Sequence, residues 1–476
     1  MVRALGLEPG QYALWEQLPN DASHQAAGFA PRAASRFRYA VLGLERSLTV
    51  QHGTLRTTGE DQAGTRLLSE FGANVFAPVE DALAQWHGRA DRETVAAREH
   101  FELPPFIGGL IGFVGYDTAR YLEKIHTATG HAIEPDICLY HAETILVQDI
   151  EQKQLLLISW NPQSHEAVAR RIEKALPAAA KMHSTDAQNT HAGVSRSRFS
   201  TNEFVARVQS AKEYILAGDI FQVVLANTFT LNALPDPLAL YEELCRLNPS
   251  PYHFAIPFGS HCLVGASPEL MLRCRNISQG KVQAAMRLVA GTYPRREGAF
   301  DEQAQRARLL ADEKERAEHI MLVDHARNDI GRVAEIGSVS VDELLAVEPY
   351  RDVLHLVSQV SGVLRAGESA FAALRACFPI ATLTGTPKIR AMEIIAELEG
   401  PSRGVFGGCA LLAGHDGFLD SGVIIRSAVV GPDGVTVRAG AGIVADSLAE
   451  REDQECRWKA NAVLRAAEAV ACRKAA

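Results

Sequence analysis

The sequence predicts an α+β fold with layered, largely antiparallel sheets. Strand signals come in groups joined by short polar turns. Helical periodicity is confined to a few segments set between those groups. Near the end of the chain, Asp416-Gly417 and Asp433-Gly434 mark tight hairpin connections. Grouped strands and grouped helices, in place of strict alternation, lead to layered α+β packing. The 476 residues exceed one ordinary core, so two domains or one large composite sandwich are expected.

Within the N-terminal region, residues 1–176, segments 37–43 and 47–51 read as strands before a His52-Gly53 turn. Segments 143–148 and 155–160 flank a polar stretch and predict a hairpin. Residues 165–176 carry helical spacing through Ala167, Val168, Ile172 and Leu176. The small, polar, aperiodic run from Pro177 to Gly193 marks a linker, which places segment boundaries at 1–176, 177–199 and 200–476. Ser200-Thr-Asn-Glu203 is an N-cap for a helix over 204–217, and strands follow at 221–231, 253–257 and 263–266. One helix is expected over 302–328, then strands at 353–360, 422–430 and 435–439. Ser447 with Glu450 three places on predicts a capping box opening the last helix.

Composition removes several function classes. A net charge of −9 argues against a nucleic-acid binder, which would carry a basic stripe. The start of the chain has no apolar core of signal-peptide length, and the Gly-rich stretch 106–116 is too short to span a bilayer. Eight cysteines without a C-x-x-C pair suit reduced thiols in a cytoplasm.

The chemistry is suggested by two separated acidic clusters, one around Glu318 and one at Glu452-Asp-Gln-Glu455. Carboxylates on two helices can supply hard oxygen ligands to Mg²⁺ if the fold brings them together. Glu318 can instead pair with Lys314, and Glu455 with Lys459, each a favourable spacing on one helix face. His355 lies on the face of a strand shared with Val353 and Val357, either as a carbonyl-bonded core histidine or as a proton shuttle. Arg426, placed inside an apolar strand, needs either a buried acidic partner or a substrate carboxylate. Gly440-Ala441-Gly442 reads as a turn that serves backbone geometry or lets amides approach an anion.

Longer motifs then match a known family. The run from Ala381 to Ile395 with Thr-Gly-Thr-Pro-Lys at its centre, the helix 312–327, Gly218-Asp-Ile-Phe-Gln-Val-Val224, Gly265-Ala-Ser-Pro-Glu269 and the segment 440–447 resemble the chorismate-utilising enzymes. The resemblance is dense over about 200–470 and looser through 36–43 and 108–122. Component I of anthranilate synthase is the nearest member, with component I of aminodeoxychorismate synthase as its sibling. The resemblance implies a layered α/β/β/α sandwich and Mg²⁺ as cofactor, held by Glu318, Glu452 and Glu455. It further implies that Arg426, Lys459 and the Gly440, Ala441 and Gly442 amides hold the enolpyruvyl carboxylate of chorismate. Gly291, Thr292, Thr382 and Phe406 would line the pocket, Glu269 would protonate the departing C4 hydroxyl, and His355 would assist proton transfer. The implied reaction is amination of chorismate at C2 with ammonia followed by loss of pyruvate; amination at C4, or a paralogue stopping at 2-amino-2-deoxyisochorismate, are the sibling chemistries.

Single positions refine this reading. Gln222 stands where water-activating siblings place a lysine, and a glutamine cannot be that base. Ala290 stands where many aminodeoxychorismate synthases carry lysine, which favours the anthranilate pattern. Phe406 replaces a usual tyrosine, and the tryptophan-feedback segments are altered at Leu14-Trp-Glu-Gln17 and at His253, so weak tryptophan inhibition is expected. No Gly-x-Cys-x-Gly glutaminase elbow surrounds any cysteine, so a separate glutamine amidotransferase subunit is expected to deliver ammonia in a hetero-oligomer.

Overall fold

The computed structural model describes residues 1–17, 37–59, 63–71, 74–86, 103–125, 132–179, 195–278, 280–294, 302–349, 353–400 and 402–474. Arg36 and linker residues 180–194 lie outside them.

Two eleven-stranded sheets pack face to face. The first runs Arg196–Ser197, Gln222–Leu231, Gly434–Ile443, Ser427–Gly431, His261–Ser267, Tyr252–Phe258, Tyr12–Gln17, Phe37–Leu42, Thr144–Asp149 and Gln154–Ser159, with Gly385–Thr386 beside Gln222–Leu231. The second runs Ser340–Pro349, Val353–Val363, Lys281–Pro294, Leu270–Ser278, Leu419–Val423, Cys409–Gly414, Gly109–Val114, Ile137–Ala142, Ser47–Gln51, Thr54–Thr58 and Gly64–Leu67. Among the described residues every strand pair is antiparallel. Both sheets draw strands from either side of the 177–199 segment, so that segment divides the sequence without dividing the sheets.

Trp15, Tyr39 and Phe254 of one sheet meet Ile111, Phe113 and Leu412 of the other in a dry middle layer. Burying a large apolar side chain there contributes about 1.5–3 kcal/mol relative to exposure. Helices Thr201–Leu216, Pro237–Leu247, Lys388–Glu399 and Ala449–Lys474 cover the outer face of the first sheet. Helices Glu313–Gly331 and Ala370–Cys377 cover the second. The expected α/β/β/α order is therefore present. Strands such as Tyr252–Phe258 and Cys409–Gly414 are buried along their whole length, which is why they read as apolar runs without alternation.

Local expectations fare unevenly. Ser200 and Glu203 form the reciprocal cap, with Ser200 N–H donating to Glu203 Oε2 at 2.8 Å. The 52–53 turn joins a hairpin in which both residues take positive φ. The 144–149 and 154–159 strands pair as the expected hairpin. The single helix over 302–328 is in fact two, Glu302–Ala311 and Glu313–Gly331, because Asp312 caps the second. The single strand over 422–430 is also two: Leu419–Val423 lies in one sheet and Ser427–Gly431 in the other. The Ser447–Glu450 box is not formed; Ser447 Oγ accepts from Val444 N–H at 3.1 Å, and Glu452 is the carboxylate bonded to its hydroxyl. All eight cysteines are free thiols, and six are buried. No helix among the described residues is long and apolar enough to cross a membrane.

Candidate active site

The helix Glu313–Gly331 begins where Asp312 Oδ1 accepts from the Lys314 and Glu315 amides at 3.0 and 3.1 Å. Tyr293 O–H donates to Asp312 Oδ2 at 2.8 Å and ties this start to the Lys281–Pro294 strand. One turn further, buried His319 anchors the helix to the sheet. Its Nδ1–H donates to the Ala290 carbonyl at 3.3 Å, and its Nε2 accepts from Ser358 O–H at 2.7 Å. Burial pushes the His319 imidazole down, so it is neutral and serves as a spacer. Glu315 and Glu318 are thereby fixed one turn apart, both only partly exposed.

The second acidic pair comes from the C-terminal helix Ala449–Lys474. Glu452 and Glu455 have the same spacing of three. Burial first, then Lys314, Glu315 and Glu452, set the Glu318 carboxyl, with the net shift upward. Glu452 is likewise pushed up by burial and by Glu455. Glu452 of the C-terminal helix therefore lies near enough to Glu318 for their charges to act on one another. Each carboxylate raises its neighbours' proton affinity, and a divalent cation relieves that repulsion. The donor set is all oxygen, which suits Mg²⁺ over softer ions. The helix pairs read from spacing are also present: Lys314 stands 3.9 Å from Glu318, and Lys459 stands 2.5 Å from Glu455. The Glu318 and Glu455 side chains keep 29% and 44% exposure, open enough for an ion to reach them.

Glu269 faces the same region from another direction. It is buried and accepts from Thr382 O–H at 2.6 Å. Burial pushes its carboxyl up to about 7, while Thr382 and Lys459 pull the other way. A carboxyl poised there is about half protonated at neutral pH and can both give and take a proton. Thr382 sits on the short turn Ala381–Leu383, between the second sheet's helices and the Gly385–Thr386 strand.

His355, in the Val353–Val363 strand, donates Nδ1–H to the Gly291 carbonyl at 3.2 Å. Nε2 is then the basic nitrogen. Burial lowers the imidazole pKa, assisted by Arg426 and Lys459, so His355 is neutral near pH 7. Gly291 is the extra residue of a bulge between the Ala290 and Thr292 pairings, at φ 78°. A Cβ there would stand 3.1 Å from Leu356 Cδ1 and 3.3 Å from Glu315 Oε2, so the bulge lies against both the His355 strand and the acidic helix. Thr292 pairs with His355 in the ladder.

Arg426 is not inside a strand. It occupies the crossing from one sheet to the other, at φ 50°, and its carbonyl accepts from Ala266 N–H at 3.2 Å. Burial lowers its pKa and Glu455 opposes that, which places the guanidinium beside the acidic pair. Gly440-Ala441-Gly442 is not a turn either. The three residues are extended within Gly434–Ile443, opposite Ala226, Leu225 and Val224. Their other edge has lost its neighbour, because pairing with Ser427–Gly431 stops at Val437. That open edge presents backbone groups to the site, and Lys459 Nζ donates to the Gly440 carbonyl across it at 2.9 Å. A Cβ on Gly442 would stand 2.9 Å from Gln222 Nε2, so Gln222 borders the same edge.

Phe406 is the exception among the expected residues. It is buried in the core behind the second sheet, with the Arg403 guanidinium 5.7 Å from its ring. Its link to the site runs through the chain, where Gly407 N–H donates to the Ile424 carbonyl at 3.0 Å, two residues before Arg426. Sequence reasoning overlooked Glu315 and gave Ser447 only a capping role. The matched spacing of three in Glu315/Glu318 and Glu452/Glu455 was the available signal.

Residues 49–465 match the family model described as chorismate binding enzyme. The anthranilate synthase component 1 of Thermus thermophilus is 38% identical over 441 residues, covering 91% of this chain and 89% of that protein. The Streptomyces coelicolor protein of the same name is 42% identical over 381 residues, covering 76% and 73%. Among solved structures, anthranilate synthase component I from Streptococcus pneumoniae superposes with a TM-score of 0.76 at 31% identity, over 90% of this chain and 92% of that one. The menaquinone-specific isochorismate synthase of Escherichia coli, at 20% identity and a TM-score of 0.64 over 98% and 90%, shares the fold. With the family model matched over most of the chain and relatives of 38% and 42% identity covering three quarters of it or more, the chain belongs to the chorismate binding enzymes, among the anthranilate synthase component 1 proteins.

Proposed function

We propose that the protein converts chorismate and ammonia to anthranilate, pyruvate and water. The observation that carries this reading is the neighbourhood of two carboxylate pairs from two helices and a buried Glu269 whose carboxyl is pushed up to about 7. Glu318, Glu452 and Glu455, with Glu315 beside them, would hold Mg²⁺, which when bound neutralises the ring carboxylate of chorismate and orients the ring. Arg426 and Lys459 supply positive charge for the enolpyruvyl carboxylate, and the Gly440–Gly442 edge supplies backbone donors. Thr292 and Thr382 border the ring. Glu269 gives its proton to the C4 hydroxyl, which leaves as water while the ammonia nitrogen bonds to C2 and the ring double bonds shift. Loss of the C2 proton to His355 Nε2, with return of a proton to the departing enolpyruvyl carbon, releases pyruvate and leaves an aromatic ring. Gln222 borders the open edge but has no basic nitrogen, which disfavours water as nucleophile.

Ammonia is delivered by a separate glutamine amidotransferase subunit in a hetero-oligomer, and the eight free thiols suit a cytoplasmic setting. The test uses purified chain with chorismate, Mg²⁺ and ammonium, with products identified by mass. Equal amounts of anthranilate and pyruvate are expected. Accumulation of 2-amino-2-deoxyisochorismate or of the C4-aminated product would overturn the assignment.

Tryptophan feedback is expected to be weak. Glu16 is already held by Arg38 Nε at 2.6 Å and by Tyr241 O–H at 3.2 Å, and His253 fills the neighbouring space. Initial rates with ammonium should stay unchanged at micromolar tryptophan; full inhibition at that concentration contradicts this.

A further inference from the structure

At the seam between the Tyr12–Gln17 and Tyr252–Phe258 strands, Glu16, Cys245 and His253 gather with one donor atom of each within 4.8 Å of the others. We propose that these three residues form a site for a thiophilic divalent cation of the Zn²⁺ class, separate from the acidic site that suits Mg²⁺.

Glu16 and His253 are direct cross-strand partners, so both project from the same face of the sheet. Cys245 comes down on them from the helix Pro237–Leu247. This is the layer where Leu14, Leu244 and Ala255 pack, and three polar ligand-type side chains inside it are costly unless something uses them.

Two of the three donors are oriented by a second group. His253 Nε2 lies 3.1 Å from the Asn248 carbonyl, which can only accept, so Nε2 carries the proton. Nδ1 is then a lone pair, and it is buried with no hydrogen-bond partner in a residue that is 0% exposed. A metal ion consumes such a lone pair, and a backbone carbonyl on the opposite nitrogen is the usual support of a ligating imidazole. Glu16 divides its oxygens the same way. Oε1 accepts from Arg38, while Oε2 faces Tyr241 O–H at 3.2 Å and Cys245 Sγ at 3.9 Å. Ligands of a tetrahedral zinc site with bonds of about 2.0–2.3 Å stand roughly 3.5 Å apart, so small side-chain rotations close this set. The sulfur donor selects Zn²⁺ over Mg²⁺. On binding, the Cys245 S–H bond breaks, its proton goes to solvent and an S–metal bond forms. Three protein ligands leave a fourth position for water.

The test is titration of the metal-stripped full chain with Co²⁺. One equivalent should produce tetrahedral ligand-field bands and a thiolate-to-metal charge-transfer band, both erased by Zn²⁺. Cys245→Ser should lose the charge-transfer band, and His253→Ala should weaken binding at least as much as an orienting change. Arg38→Met should keep the band and weaken affinity by about 10–100-fold. Glu455→Ala should leave the titration unchanged. Absence of the bands in the unaltered chain, or their survival in Cys245→Ser, overturns the site. Should Cys245→Ser fail to fold, alkylation of the unaltered chain decides: Zn²⁺ must slow modification of Cys245 and not of Cys472, and equal rates with and without Zn²⁺ reject the proposal.

Discussion

Glu455→Ala should lower kcat/KM for chorismate by about 10³-fold or more, because a lost Mg²⁺ removes several kcal/mol of charge stabilisation at the ring carboxylate. Glu318→Ala should have the same effect. The two residues come from different helices but converge through Glu452, which bears on both. The double variant should be little worse than either single one, since groups that act as a unit are not additive. Stability behaves differently. Glu455 gives up its contact with Lys459, but that pair is 44% and 33% exposed and contributes at most about 1 kcal/mol. Removing one of several mutually repelling carboxylates offsets part of that loss. The metal-free variant should therefore unfold near the original temperature while its Mg²⁺-induced thermal stabilisation disappears. Retained turnover together with retained Mg²⁺ stabilisation would sink the metal assignment.

Glu269→Gln should cost about 10²–10⁴-fold in kcat, the usual contribution of a positioned acid, with Mg²⁺ affinity unchanged. The unaltered enzyme should lose activity as pH rises through about 7, where burial places this carboxyl. The same shift has a stability consequence with a definite sign. The folded protein holds the proton more tightly than the unfolded chain, whose carboxyl titrates near its ordinary 4.5. The contribution is thus complete below 4.5 and is lost as pH rises through about 7. Glutamine keeps the shape and the Thr382 contact but carries no charge. At pH 8 the variant should be more stable than the parent, by up to about 3 kcal/mol, and the difference should vanish near pH 4. Denaturant midpoints at the two pH values measure it. Parallel pH slopes in parent and variant would mean that Glu269 is not the buried acid.

Much of this was legible in the sequence because long motifs carry the site. Glu269, His355, Thr382, Arg426 and Lys459, taken from separate motifs, lie near one another in the structure, and the capped helix at Ser200 is read from four residues. Other features could not be read locally. An apolar run through 422–430 gives no sign that it leaves one sheet at Val423 and joins the other at Ser427, since the first strand is buried on both faces and the second is at least partly buried on both. Glycines at 440 and 442 look like a turn. In the structure they let an extended strand lie against Leu225 O, 3.0 Å from a Cβ at 440, and against Gln222. Glu315 was hidden by the Lys314–Glu318 spacing, which has its own sufficient explanation on an isolated helix. Neighbouring strands also part company: Phe37–Leu42 and Ser47–Gln51, adjacent in sequence, enter different sheets.

The interleaving of early and late strands bears on how the chain is made. Tyr12–Gln17 can pair early with Phe37–Leu42, but its other edge stays open until Tyr252–Phe258 emerges, and Glu16 reaches Tyr241 across 225 residues. At ribosomal speeds of about 5–20 residues per second, that wait is on the order of tens of seconds. During it, Trp15 lacks the rings of Tyr252 and Phe254 that pack against it in the finished sheet. Yield of native protein should consequently respond to growth temperature and chaperone supply more than to changes in final stability.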